Sequence, residues 1–471
     1  MYFDNAMSGI TARTINSLLF KFDMTRKSND RFAETLTNPV AKMFVLKLFI
    51  SFMRYLFHVI HALPCDKAIK KSVAGNGTGK KFFSVLLNTV LAVYSNNAFS
   101  EWSGNVAVES RYFIHDAQFP GQEDDLTGSI SLQPEFRQQW KNGDAGFTFI
   151  PFVRVDSSDD ERSHADIREL YFLQVKDELE FRLGINKVFW GVLEFQHIVD
   201  IINQTDAVEN IDGEDKLGQP MLHLSVNKDL GLFEVFLLPY FRERTFAGKD
   251  GRLRPALAVD TDNPRYQSSD EENHFDYALR WSHYFGNYDV GISWFDGTAR
   301  QPAFQISEDR MSLVPFYYQI EQTGLDLQYT GEQWLWKLES IYRQSINDSI
   351  WAAGAGFEYT FIGINDSDAD LGILMEYHYD ERNESQAAFQ NDLFTGARLV
   401  MNDVQSTEFL AGLGFDLDDQ SRSFRLEASS RIGDSIKLNL EAQYFSQIDD
   451  ENLLSDFSND SHLQLELVWY F

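Results

Sequence analysis

The side chains best suited to chemistry are scattered rather than grouped. Past residue 100 the histidines are His115, His164, His197, His223, His274, His283, His378 and His462. Nucleophilic catalysis needs such a base within hydrogen-bond reach of a Ser or Cys. None of the eight sits in a Gly-x-Ser-x-Gly or other recognisable nucleophile setting, and the sequence has no HExxH and no Gly-rich phosphate loop. The single Cys, Cys65, rules out a disulfide framework and a multi-Cys metal site. Carboxylates are the richer resource, with 71 Asp+Glu against 41 Lys+Arg and a net charge of −30. Such acidity excludes nucleic acid as a partner. The acids Asp200, Asp206, Glu209, Asp212, Glu214 and Asp215 could offer oxygens to Ca²⁺, yet they lack Asp-x-Asp-x-Asp-Gly spacing. Asp366, Asp368 and Asp370 alternate, but Leu371 stands where an EF-hand requires Gly, so they read as a turn. The expectation is therefore no catalytic residue, no metal and no cofactor.

The elements that would position these residues are strands. From residue 101 onward no helical period is sustained, and apolar and polar residues alternate. Ile130, Leu132, Pro134 and Phe136 alternate with Ser131, Gln133, Glu135 and Arg137. Ile436, Leu438, Leu440 and Ala442 alternate with Lys437, Asn439, Glu441 and Gln443. A soluble sandwich also alternates, but these segments are longer than the usual five or six residues of a globular strand and suit the roughly 9–11 of a tilted membrane strand. Tight turns such as Gly286-Asn287 and Gly433-Asp434 alternate with long acidic loops such as 190–218 and 243–272. That is the arrangement of an outer-membrane barrel. The last strand, His462 to Phe471, is amphipathic and closes on an aromatic residue, which resembles the signal read by barrel-insertion machinery. The fold expected is all-β: a transmembrane outer-membrane β-barrel of about eighteen antiparallel strands. The segments begin with 101–114 and end with 461–471. Sixteen strands stays open because 297–316 is ambiguous. Trp102, Trp140, Trp190, Trp294, Trp334 and Tyr444 suit interfacial girdles.

Residues 1–100 are a different material, with 13 Lys+Arg against 5 Asp+Glu. Lys80-Lys81, the apolar run Phe82–Val93 and the Ala98-Phe99-Ser100 ending read as a helical signal peptide over 73–100. Residues 1–72 read as a mis-assigned start or an extension without a fold. An anchor helix at 43–63 is the alternative, opposed by Lys47 and Arg54.

If the apolar parity faces lipid, the other parity faces a lumen. It gathers Arg137, Arg154, Arg182, Arg280, Lys337, Arg343, Arg425, Arg431 and Lys437, with Glu135, Glu180, Glu339, Glu358, Glu376, Glu427, Glu441 and Glu466. Most of these would be paired, wetted wall residues; together they would sieve small solutes. Loop 190–218 is the sharpest local feature. Leu193, Phe195, Ile198, Val199, Ile201 and Ile202 recur at near-helical spacing ahead of its acids. This predicts an amphipathic helix that either enters the lumen as a constriction or lies on the rim. Arg137, Arg154, Arg182, Arg280 and Arg425, with Asp200, Asp206 and Glu209, are the pore-lining candidates.

Phe181-Arg182-Leu183-Gly184, Phe189-Trp190-Gly191, Ile198–Asn203 and Leu238–Arg244 resemble a large, mostly uncharacterised family of Gram-negative porin-like outer-membrane proteins. In that family an Arg-x-Gly strand leads to Trp-Gly, then an Asp and Asn in a helical loop, then a Pro–Arg strand end. Asn186-Lys187 departs from its usual Arg-Gln pair. The resemblance implies passage of small organic solutes; the function expected is a channel for passive passage of small hydrophilic or organic solutes, favouring cations if acidic mouths dominate. The partners expected are outer-membrane lipid, insertion machinery reading Phe471 and a small solute, with homo-oligomers left open. A surface-adhesion or structural barrel is the alternative function, and an outer-membrane hydrolase the weakest.

Overall fold

The computed structural model describes residues 100–122, 125–346, 348–383 and 386–471. The extension expected at 1–72 and the signal peptide expected at 73–100 lie outside these, Ser100 excepted. The strands are β1 (Ser100–Phe113), β2 (Leu126–Trp140), β3 (Ala145–Asp156), β4 (Ala165–Lys176), β5 (Leu179–Asn186), β6 (Gln219–Lys228) and β7 (Gly231–Leu238). There follow β8 (Arg265–Tyr266), β9 (Asp276–Phe285), β10 (Tyr288–Thr298), β11 (Ala303–Ile306), β12 (Leu313–Tyr317), β13 (Gln319–Thr330) and β14 (Trp334–Ser345). The chain continues with β15 (Ser349–Phe361), β16 (Asp370–Asp380), β17 (Asn391–Val400), β18 (Glu408–Asp416), β19 (Arg422–Ile432), β20 (Ile436–Ser446) and β21 (His462–Tyr470).

Eighteen of these form one sheet, each antiparallel to its neighbour in sequence. The sheet closes where β21 pairs with β1, from Phe113↔His462 to Asn105↔Tyr470. Beyond that register the Phe471 N–H donates to the Gly104 carbonyl (3.0 Å), and the Gly104 N–H donates to the Phe471 carbonyl (3.1 Å). Closure leaves no free strand edge, the condition for crossing hydrocarbon with strands. The ambiguous interval 297–316 adds no staves. Its strands β11 and β12 pair with each other and with β8 in a separate three-stranded sheet, so the count is eighteen.

The two faces follow the alternation in sequence. On β1, Val108 and Tyr112 are exposed while Ala107, Glu109 and Arg111 are buried. On β14, Trp336 and Tyr342 are exposed while Lys337, Glu339 and Ile341 are buried. The exposed set is a belt of large apolar residues around the whole wall, a surface that a bilayer covers at a gain of about 25 cal/mol per Å². Short connections such as Gly286-Asn287 join strands at one end; Gly286 supplies the left-handed φ of 64° that a two-residue hairpin needs.

Two expectations need correction. Trp334, Tyr444 and Trp140 are 42%, 43% and 37% exposed, as girdle residues should be, but Trp190 is only 3% exposed. Trp190 turns inward, edge-on to Phe236 with ring centres 5.5 Å apart. Strand β5 ends at Asn186, so Trp190 is past the wall and free to turn in. The second correction concerns 190–218, which contains no helix. Five of its N–H groups, between Val192 and Val199, are taken by side chains of the wall, as described next, and are not available to carbonyls four residues back.

Candidate functional site

Residues 187–218 leave the top of β5 and pack against the inner face of the barrel on several sides. The Glu339 carboxylate on β14 accepts the N–H groups of Val192 (2.6 Å), Leu193 (2.9 Å) and Val199 (3.1 Å). The Glu376 carboxylate on β16 accepts those of Glu194 (2.8 Å) and Phe195 (3.2 Å). Side chains then fill the inner surface. Trp190, Val199, Ile201 and Ile202 join a buried cluster with Met221, Phe236, Phe295, Ile320 and Ile341 from the wall. Phe195 stacks on Phe394 at 4.9 Å and lies over Gly412. A Cβ at Gly412 would come within 2.5 Å of the Phe195 ring, so the wall is thinned there to admit it.

Charges fix the opposite flank. Arg154 on β3 bridges Glu109 (3.1 Å) and Glu209 (2.7 Å). Arg162 also reaches Glu109 (2.9 Å), and Arg111 donates to the Glu209 carbonyl (2.7 Å). Arg168 pairs with both Asp206 and Asp166. Burial pushes the Asp206 carboxyl up, but Arg168 and His164 beside it outweigh this and hold it well below the usual carboxylate range. His164 is raised for the reciprocal reason: burial opposes its charge, and Asp206 and Glu209 favour it. His164 Nε2 lies 3.5 Å from oxygens of both acids, the one trio among the described residues with metal-ligand spacing. Arg168 and Arg154 already pair with those carboxylates, so the trio is part of an ion network whose acids have cations of their own.

On the third side, Glu194 meets Arg398 (2.7 Å) and Lys337 (3.3 Å), and these cations overcome burial to lower its pKa. Asp212 meets Arg425 of β19 at 2.7 Å. Asp200 is buried against Lys216 at 3.0 Å; burial outweighs that cation and raises its pKa.

Three cavities adjoin one another inside the barrel, the first against β14–β16 and the other two along β17–β20. The first, about 480 Å³, lies on the loop side, bounded below by Phe195, Ile198 and Ile201 and above by Phe246, Phe304 and Phe457. It adjoins a neck of about 170 Å³ through Phe195, Asp212 and Phe389. The neck adjoins a third cavity of about 340 Å³ through Glu194, Arg425, Glu427 and Glu441.

The sequence candidates therefore separate. Arg425 stands at the neck, and Asp200 borders the loop-side cavity. Arg154, Asp206 and Glu209 belong to the buried network. Arg280 lies 5.2 Å above the Trp190 ring and pairs with Asp326 at 2.7 Å. Arg137 and Arg182 pair with Glu135 (3.2 Å) and Glu180 (2.7 Å) on their own strands, away from the segment. Sequence reading missed Arg168. The β3–β4 register shifts between Ile150 and Pro151, leaving Arg168 as the extra residue of a bulge. Strict alternation with inward Glu169 would have sent Arg168 toward lipid.

Fold and site together define a closed β-barrel of the transmembrane kind, its lumen crossed by one internal segment. No protein-family model and no curated protein matches the chain. Similar solved structures include Acinetobacter baumannii OccAB3, at 10% identity and TM-score 0.47, covering 79% of this chain and 99% of that one. Pseudomonas putida OprB is similar at 9% identity and TM-score 0.43, covering 79% and 94%. The trimer form of the Vibrio cholerae outer membrane protein OmpT is similar at 8% identity and TM-score 0.39, covering 80% and 100%.

Proposed function

We propose that this barrel is a channel of the Gram-negative outer membrane for passive passage of small hydrophilic or organic solutes. The observation that carries the reading is the succession of three adjoining cavities from the loop side to the turn side. They are lined at the neck by Arg425, Asp212, Glu427 and Glu441. A packed, sealed interior would serve a structural or adhesive barrel better. A charged lining at such a neck favours polar solutes and slows apolar ones. Residues 187–218 act as the constriction, tied to the wall at the neck by the Asp212–Arg425 ion pair.

The partners implied are outer-membrane lipid around the apolar belt, insertion machinery reading the strand that ends at Phe471, and a small solute. Reconstitution tests the reading. Purified barrel in planar bilayers should give discrete conductance steps, and proteoliposomes should swell in small sugars or amino acids. Folded protein that inserts yet stays electrically silent and blocks swelling would overturn it.

A further inference from the structure

At the loop end of β17 and β18, carboxylates gather without a cation. Asp392 and Asp416 stand directly opposite each other in the register of the two strands. They are 4% and 8% exposed, so both side chains face into the barrel. The next pair outward is hydrogen-bonded, the Leu417 N–H donating to the Asn391 carbonyl (2.9 Å). Asp392 and Asp416 are therefore a non-hydrogen-bonded pair, the class in which opposed side chains stand closest, with Cα atoms about 4.5 Å apart. Like charges so placed repel. Asp419, in the turn after β18, adds a third charge that bears on Asp392. Among the described residues no Lys or Arg lies within ion-pair distance of the three. His378, opposite Asp392 on β16, turns its Nε2 to Glu376 (3.3 Å) instead. A neutral acceptor is stranded beside them. Gln390 is 6% exposed and two positions before Asp392, on the same strand face. Its Nε2 donates to the Ala387 carbonyl (2.6 Å), while its Oε1 is buried with no donor. Asp416 Oδ2 and Asp419 Oδ2 are buried without a donor as well. Acceptors withdrawn from water in this way are costly, and a cation among them relieves the cost.

We propose that this end of the wall binds a calcium ion. Asp392 and Asp416 are its carboxylate ligands and the Gln390 amide oxygen is a neutral one. Asp419 reaches the ion through a water, since the three carboxylates do not converge to direct-ligand spacing. The donor set selects the metal. All its atoms are oxygens, which suits a hard cation and disfavours the softer transition metals. Calcium accepts carboxylates, amide carbonyls and waters together in a flexible shell, whereas magnesium demands a near-ideal octahedron. Its two charges offset the two acids that face each other. The bound ion ties the chain before β17 and the turn after β18 to the wall, at the point where two long-range neighbours otherwise repel. The site goes beyond the channel reading and does not rest on it: an electrically silent barrel that binds calcium through Asp392 and Asp416 keeps it.

The test uses the detergent-solubilised protein, stripped with EDTA and titrated with CaCl2 in a calorimeter. Binding should be saturable, with a Kd on the order of 10⁻⁴ to 10⁻³ M, the range of extracellular calcium modules. MgCl2 should bind more weakly. Calcium should also raise the temperature at which heat-modifiable migration is lost, because a ligand held only by the folded state stabilises it. Asp392→Asn and Asp416→Asn should each weaken calcium by about tenfold or more, since affinity at such sites follows the charge of the ligands. Both variants also relieve the repulsion, so in EDTA they should be at least as stable as the unmodified protein. Asp309→Asn, an equal change of charge in the exposed turn after β11, should bind calcium as the unmodified protein does. Absence of calcium binding by the unmodified protein refutes the site, whether or not any variant folds. So does an unfolding temperature equal in CaCl2 and EDTA, the result expected if the two acids merely share a proton. Folded Asp392→Asn and Asp416→Asn proteins that bind calcium undiminished refute it too.

Discussion

Glu339 and Glu376 hold one limb of the internal segment by its backbone, and removing both carboxylates is the sharpest perturbation the structure offers. Together they accept five N–H groups, from Val192, Leu193, Glu194, Phe195 and Val199. In Glu339→Ala/Glu376→Ala all five lose their acceptor. At about 1 kcal/mol each, allowing for water entering from the lumen, the docked limb loses ~5 kcal/mol. That shifts the ratio of docked to released segment by between three and four powers of ten. The other limb keeps the Arg154–Glu209, Arg168–Asp206 and Arg425–Asp212 pairs, so residues 190–199 should swing out while 206–212 stay. Single-channel conductance should rise, and trypsin should cut after Lys187 in the variant while sparing that bond in the unmodified protein. Retention of heat-modifiable migration in electrophoresis shows that the wall is intact. A folded double variant with unchanged conductance and unchanged resistance would refute the reasoning, because the five bonds would then hold nothing that matters to the route.

Further outcomes follow from the same contacts. Gly412→Val intrudes on the Phe195 ring, which a Cβ alone would approach to 2.5 Å; it should alter conductance while the barrel still folds, as electrophoresis and bilayer recording would show. Arg154→Ala leaves Glu209 without its closest cation inside the barrel, and should cost about 3 kcal/mol in resistance to denaturant followed by circular dichroism. Asp200→Lys sets two cations side by side and should change conductance, and adding Lys216→Asp should restore it by reversing the pair. Burial raises Glu243, in the loop after β7, to about 7, against a lowering by its Tyr266 hydrogen bond and a further rise from Glu272. A carboxyl whose folded pKa is raised binds its proton more tightly folded than unfolded. Packing of this loop should therefore strengthen as pH falls from about 7 toward the ordinary Glu value near 4.5. Limited proteolysis at pH 8 and pH 5.5 would show it, and Glu243→Gln should abolish the difference.

Eighteen staves were legible because a strand's two faces are a local property. Ile130 beside Ser131, or Leu438 beside Asn439, states which side meets lipid without reference to any other strand. Closure follows once every backbone group in hydrocarbon must be paired. The sequence also marked Glu339, Glu376 and Arg425 as inward and 190–218 as exceptional. It misread the form of that segment, because near-helical spacing of Leu193, Phe195 and Ile198 reports only that apolar residues recur. The helix loses to Glu339 and Glu376, more than 140 residues away, which bind the N–H groups a helix would use internally. The re-aiming of Arg168 needed the bulge opposite Pro151, a mismatch between two strands that neither contains alone. Periodicity fixed the wall because burial alternates along one chain; the contents of the lumen were decided by contacts between distant segments, which the closed barrel alone brings together.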